Sequence, residues 1–228
     1  MTPNRKNRHA SMPVMALSIF ALTVAYYFGP FGGPAMRLAF PVAVLALGGI
    51  GALPWTVTAG LAFSALGDVC GVLGSFVGQM AAFAVAHVFY IVWLTSRLRK
   101  TKESAVAALI VVAVWIAVIS LTAATILPSV DDPAIRTGCA VYALLISSMM
   151  CLALLHAASS SSRMRGLALL AAVGGVLFVI SDAVLAWNRF VTHISHSGLI
   201  IMTTYYTAQL LLFIAAWRLP RTVRAGKP

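Results

Sequence analysis

From Ala105 to Ala117 the chain carries no charged or hydroxyl-bearing side chain, so this run offers no face to water. In lipid every backbone N–H and C=O has to be satisfied within the protein, which leaves helices or a closed barrel. Barrel strands alternate polar and apolar residues. This run does not alternate, and a helix is read. The rest of the chain agrees: 61% of the 228 residues are hydrophobic and 9% charged, against about 25% charged in a soluble domain. That much apolar surface cannot be hidden in one water-facing core of this size, and a soluble globule is excluded.

Apolar runs of about 20 residues, the length that crosses the hydrocarbon layer, recur eight times. They lie at approximately Pro13 to Gly29, Ala35 to Leu53, Trp55 to Ser75, Phe76 to Thr95, Ser104 to Leu127, Ala134 to Ala157, Gly166 to Trp187 and Ser197 to Trp217. The expected fold is all-α, a polytopic bundle of eight transmembrane helices in one domain over residues 13–218, flanked by basic tails at 1–12 and 219–228. The first span follows basic residues, as a signal peptide does, but its long apolar core and the lack of a clean cleavage site read as a retained signal anchor. Lys and Arg number 16 against 5 Asp and Glu, a net charge of +11. If eight spans alternate from a cytoplasmic N-terminus, the inner segments hold Arg5, Lys6, Arg8, Arg97, Arg99, Lys100, Lys102, Arg163, Arg165, Arg218, Arg221, Arg224 and Lys227. The outer segments keep Arg37, Arg136 and Arg189, with Asp131 and Asp132. Basic loops mark the cytoplasmic side, so both termini are expected there, in the cell membrane. The positive charge reports orientation, with some attraction to anionic headgroups. No nucleic-acid partner is read from it.

Of the five acids, Glu103, Asp131 and Asp132 fall in loops, but Asp68 lies inside the third span and Asp182 inside the seventh. An ionisable group at that depth costs several kcal/mol (about 2.5–3.5 by insertion scales) unless it faces protein or water. At about 1.5 Å per residue both reach similar heights in the outward half, so a two-carboxylate site is geometrically open. Polar groups gather near them. Ser64, Asp68 and Gly71 share a face of the third span, beside a Gly67, Gly71, Gly74, Gly78 series that permits close helix approach. Gln79, Phe83, His87 and Tyr90 share a face of the fourth. Asn188 and Arg189 follow Asp182 on the seventh, and Tyr205, Tyr206 and Gln209 occupy the eighth. Spans one, two, five and six read as scaffold. Phe63-Ser-Ala-Leu-Gly-Asp68 and Phe178-Val-Ile-Ser-Asp182 each stand in the third helix of a four-helix half, an echo that suggests a four-plus-four repeat. Cys70, Cys139 and Cys151 lie in apolar stretches without metal spacing. His193 and His196 form an H-x-x-H pair with no third ligand nearby, so no metal and no cofactor is expected.

Four segments, in order and spacing, resemble the signatures of the YhhN family, which comprises multi-pass membrane lysoplasmalogenases. They are Phe63-Ser-Ala-Leu-Gly-Asp68, Phe76-Val-Gly-Gln-Met-Ala-Ala-Phe83 leading to Ala86-His87-Val-Phe-Tyr90, Phe178-Val-Ile-Ser-Asp182-Ala-Val-Leu-Ala-Trp-Asn-Arg189-Phe190, and Thr204-Tyr205-Tyr206-Thr-Ala-Gln209. The resemblance spans about Leu61 to Ala215. Cys70-Gly71 departs from the larger apolar residues expected after Asp68, which bears on pocket shape. The resemblance implies hydrolysis of the vinyl-ether bond of a lysoplasmalogen, a lysophospholipid drawn from the bilayer, by water, giving a fatty aldehyde and glycerophospho-ethanolamine or -choline. On that reading Asp68 and Asp182 are the acid and base, in either assignment, and His87 and Tyr90 position water or polarise the ether oxygen. Asn188 and Arg189 hold the phosphate or glycerol, while Ser64, Tyr205, Tyr206 and Gln209 line the substrate site. The rival reading is a small proton-coupled transporter or lipid flippase using the same aspartates.

Overall fold

A computed structural model describes residues 5–28, 39–98 and 104–219, with side chains for residues 12–25 in the first stretch. Eight α-helices account for nearly all of them: α1 (Arg5–Phe28), α2 (Phe40–Gly49), α3 (Trp55–Val72), α4 (Phe76–Leu98), α5 (Ala105–Thr125), α6 (Pro133–Ser159), α7 (Ser162–Phe190) and α8 (Ser197–Arg218). A single 3-10 turn, Leu127–Ser129, separates α5 from α6.

Among the described residues six helices, α3 to α8, are long and apolar enough to cross a membrane. Their outer faces are those of a protein solvated by lipid. No residue of α5 is buried, and Leu109 and Leu121 are 70% and 64% exposed, an arrangement that water would penalise. The chain is a multi-pass integral membrane protein. The second expected span, Ala35 to Leu53, departs from the sequence reading. Ala35 lies outside the described residues, and α2 has ten residues, about 15 Å of helix against a hydrocarbon layer of about 30 Å. Its apolar composition hides a stop. Gly48 and Gly49 are followed by Gly51 at φ 72° and by Pro54, so the helix cannot continue through the run. In α1 the helix begins at Arg5, well before Pro13, which sits inside it. Arg37, Arg99, Lys100, Lys102, Glu103, Arg221, Arg224 and Lys227 also lie outside the described residues.

Helices pack mainly as sequence neighbours, α1 on α2, α2 on α3, α3 on α4, α5 on α6, α6 on α7 and α7 on α8, with α4 against α6 and α2 against α8. Shifting each of these numbers by four within the set of eight reproduces the same pairings, which is the pattern a four-plus-four repeat gives. The core lies where α3, α4, α6, α7 and α8 converge, around Leu61, Phe83, Tyr90, Phe178 and Phe213.

Close approach depends on glycines at specific seams. A Cβ on Gly60 would come within 2.6 Å of the Tyr90 ring, and one on Gly71 within 2.8 Å of the Gln79 amide. Gly67 faces Phe83 in the same way, so α3 lies on α4 along a strip without side chains. Gly74 has a different task. It adopts φ 78° in the turn between the two helices, where Ser75 N donates to Cys70 O at 2.9 Å and closes the end of α3. On the far side Gly174 faces α8 and Gly175 the backbone of α6, which draws α7 against both. Asp132 starts α6 as its N-cap, with Oδ1 accepting from Ala134 N and Ile135 N at 2.7 and 3.0 Å.

Candidate active site

Each polar side chain held inside this bundle has to find a partner there, and those partners define two clusters. The first joins α3, α4 and α8. The Tyr205 hydroxyl donates to Asp68 Oδ2 at 2.9 Å, and the Tyr90 hydroxyl donates to Gln209 Oε1 at 2.8 Å. Ser64 lies one turn before Asp68 and beside Tyr90. All five are buried; Asp68 is 7% exposed and Gln209 fully enclosed.

The second cluster joins α4, α6 and α7. Tyr142 of α6 donates its hydroxyl hydrogen to Asp182 Oδ2 in a short hydrogen bond, and the Tyr142 hydroxyl oxygen is 3.1 Å from His87 Nε2. His87 has no exposed surface and leaves Nδ1 without a partner among the described residues. Its ring rests edge-on against Phe178, centroids 4.7 Å apart. Phe178 also meets Tyr205 at 5.4 Å and Phe83 at 6.2 Å. One aromatic layer therefore separates the two clusters and touches both, and Asp68 remains within electrostatic reach of Asp182.

Asp182 opens onto a cleft. Helices α4, α5, α6 and α7 enclose about 90 Å³ there, lined chiefly by apolar side chains such as Phe76, Met80, Phe83, Val118 and Ile146, with Tyr142 and Asp182 as polar features. The cleft has room for more than one water molecule, each of which occupies about 30 Å³ of liquid. Asp182 is the carboxyl that lines it, while Asp68 stands behind the aromatic layer.

The sequence-selected residues separate accordingly. Asp68, Ser64, Tyr90, Tyr205 and Gln209 come together, as do Asp182 and His87. Although His87 and Tyr90 are one turn apart, they serve different clusters. Tyr206 points elsewhere, with its ring edge-on to Phe20 of α1 at 6.0 Å. Asn188 Oδ1 accepts from Ile194 N at 2.8 Å and is engaged in shaping the connection to α8. The Arg189 guanidinium lies 4.2 Å over the Phe76 ring. Since Phe76 also lines the cleft, this cation lies against one of the cleft's wall residues rather than beside the aspartates. His193 and His196 join no group of three candidate metal ligands among the described residues.

Two helices read as scaffold enter the site. Helix α5 supplies Val118 and Thr122 to the cleft wall, Ile126 follows just past its end, and α6 supplies Tyr142. A signal for Tyr142 exists in the sequence. It precedes Ile146, Met149 and Ala153 by four, seven and eleven residues on the core-facing stripe of α6, and a buried phenol requires a hydrogen-bond partner.

Two comparisons with known proteins converge on one group. The human protein named lysoplasmalogenase TMEM86B is 35% identical over 161 residues, 70% of this chain and 62% of its own length. The rat protein of the same name is 34% identical over 173 residues, 75% of this chain and 65% of its own. Human lysoplasmalogenase TMEM86A is 31% identical over 160 residues, 69% and 63% of the two chains. This chain thus spans somewhat under two thirds of the length of these relatives. No solved structure matches. The YhhN family model matches residues 30–216, which hold both aspartates, both of their tyrosine partners and the cleft, and the chain belongs to the YhhN family.

Proposed function

We propose that this protein is a membrane lysoplasmalogenase, which hydrolyses the vinyl-ether bond of a lysoplasmalogen to a fatty aldehyde and a glycerophospho-ethanolamine or -choline. The relatives' names supply the reaction class. The observation that carries the reading is a carboxyl, Asp182, lining an apolar cleft with a second carboxyl, Asp68, behind it, each held by a tyrosine hydroxyl.

The chemistry suits these groups. Protonation of the β-carbon of a vinyl ether leaves an oxocarbenium ion at the α-carbon. Water adds there, losing a proton, and the hemiacetal collapses to aldehyde and alcohol. Such a reaction needs a positioned acid, an anion facing the cation and a base for the water. Two carboxyls in one site, one protonated and one ionised, supply all three, as in glycosidases with an oxocarbenium-like transition state. The alkenyl chain occupies the apolar cleft. Against its wall residue Phe76, Arg189 is the cation placed to meet the phosphate.

The decisive experiment is aldehyde release by the purified chain in detergent, without a membrane gradient, from a 1-alkenyl lysophospholipid. Release supports a hydrolase; its absence overturns this reading in favour of a carrier. Arg189→Ala is expected to raise KM about tenfold, the loss of roughly 1.4 kcal/mol of binding, with kcat nearly unchanged. A fall in kcat at constant KM would refute phosphate binding by this residue.

We propose further that α3 to α8 cross the bilayer with the ends of α4, α6 and α8 on the cytoplasmic side. The ends of α4 and α8 and the start of α7 carry Arg97, Arg218, Arg163 and Arg165, while Asp131 and Asp132 occupy the opposite end of α6. Single cysteines at 131 and 163, in a chain otherwise free of reactive thiols, are expected to react with impermeant reagents from outside and inside respectively. Labelling of both from one side would sink this orientation.

A further inference from the structure

Resting on the hydrolase reading above, we infer that Tyr142, backed by His87, is the positioning residue that makes Asp182, rather than Asp68, the carboxyl that meets the substrate. The Tyr142 hydroxyl has one hydrogen, and it is committed to Asp182 Oδ2. Its oxygen then only accepts from His87, so His87 carries its proton on Nε2 and donates it. The other ring nitrogen, Nδ1, is buried and has no partner among the described residues. An N–H there would be an orphaned donor, whereas a lone pair is the lesser loss, and the same tautomer is selected twice.

The consequence falls on the oxygens of Asp182. Oδ2 is occupied by the Tyr142 hydrogen in both protonation states, so the acidic proton of the neutral form resides on Oδ1. Asp182 lines the cleft and makes no other hydrogen bond among the described residues, which leaves Oδ1 for a ligand. Asp68 lacks this access: it is 7% exposed and does not line the cleft. Its place is behind Phe83, Phe178 and Tyr205, where its charge acts across the aromatic layer.

In the reaction the Oδ1–H proton passes to the β-carbon of the vinyl ether. The C=C π pair forms the new C–H bond, and the O–H bonding pair stays on Asp182 as carboxylate, held by the Tyr142 hydrogen. Water then bonds to the α-carbon and surrenders a proton to Oδ1, which restores the acid. Tyr142 loses no proton in either step. It keeps the carboxyl in one rotamer and one proton arrangement, so the turn-by-turn cost of reorienting it is avoided.

The test measures kcat and KM for aldehyde release by the full chain in detergent, with a 1-alkenyl lysophosphoethanolamine as probe. Tyr142→Phe is expected to lower kcat about a hundredfold, the scale of losing one preorganised donor, with KM within about twofold. His87→Gln, which retains an N–H aimed at Tyr142, is expected to recover most of the kcat that His87→Ala loses. A merely structural role would move KM and thermal midpoint together and would not separate Gln from Ala. Should Tyr142→Phe fail to accumulate, the His87 pair decides alone. Wild-type turnover combined with an unaltered kcat in Tyr142→Phe, or with equal kcat in the two His87 variants, overturns this inference and leaves the proposed activity standing. A wild-type protein that releases no aldehyde overturns the activity itself.

Discussion

Asp182→Asn is expected to lower kcat for aldehyde release roughly a thousandfold, within the range assigned to a positioned general acid and base. The substitution keeps shape and keeps an oxygen to accept from Tyr142, so the geometry of α6 and α7 persists while the transferable proton is lost. Elution as a single detergent-solubilised species with an unchanged thermal midpoint would show that the fold is intact. Turnover within about tenfold of wild type would remove Asp182 from the reaction and with it the two-carboxyl mechanism.

Asp68→Asn carries the second large effect, and its sign differs between activity and stability. Asp68 is buried among apolar and aromatic neighbours and is held by one hydroxyl. A neutral amide accepts the same Tyr205 hydrogen without the cost of carrying a charge inside the membrane, several kcal/mol (about 2.5–3.5) by insertion scales. The variant is therefore expected to be as stable as wild type or more stable, with kcat down roughly a hundredfold because the oxocarbenium ion loses the negative charge that acts on it across the aromatic layer. Asp68→Leu, in contrast, strands the Tyr205 hydroxyl and is expected to lower stability by about 1–3 kcal/mol. A stable Asp68→Asn protein with full activity would assign this carboxyl to the scaffold.

How much of this was legible beforehand depended on what each residue has to satisfy. The helices were legible because length and apolar composition alone decide them in lipid, and six of the eight observed helices, α3 to α8, lie close to the expected runs, while α1 starts eight residues before its run. Helix α2 was not, since hydropathy weighs Gly48, Gly49 and Gly51 as mildly apolar while the backbone treats them as a stop. Asp68 and Asp182 stood out because a carboxyl in an apolar run has no cheap explanation. Tyr142 did not stand out, because a tyrosine in such a run is ordinary at a membrane interface. Only the meeting of three helices shows that its hydroxyl is spent on a carboxyl and a histidine. Arg189 shows the opposite limit. Helical spacing places it two turns beyond Asp182, but whether it turns inward or rests on an aromatic ring depends on Phe76, more than a hundred residues earlier.

The internal echo was faint in sequence and is plainer in the helix pairings, yet the site itself breaks it. Asp68 takes its tyrosine from α8, whereas Asp182 takes its own from α6. Related scaffolds thus present two carboxyls in unequal surroundings, one enclosed and one open to the cleft. In the proposed mechanism that inequality lets two identical residue types divide two roles.

Helix α5 contributes Val118 and Thr122 to the cleft and buries no residue of its own. A wall of that kind has the bilayer on its other side, so the cleft is filled from a two-dimensional fluid rather than from a solution. Its occupancy follows the mole fraction of ligand among the surrounding lipids. Adding inert detergent or lipid at fixed total ligand dilutes the supply to the cleft, and a Michaelis constant for the proposed activity has its natural unit in mole per cent of the membrane.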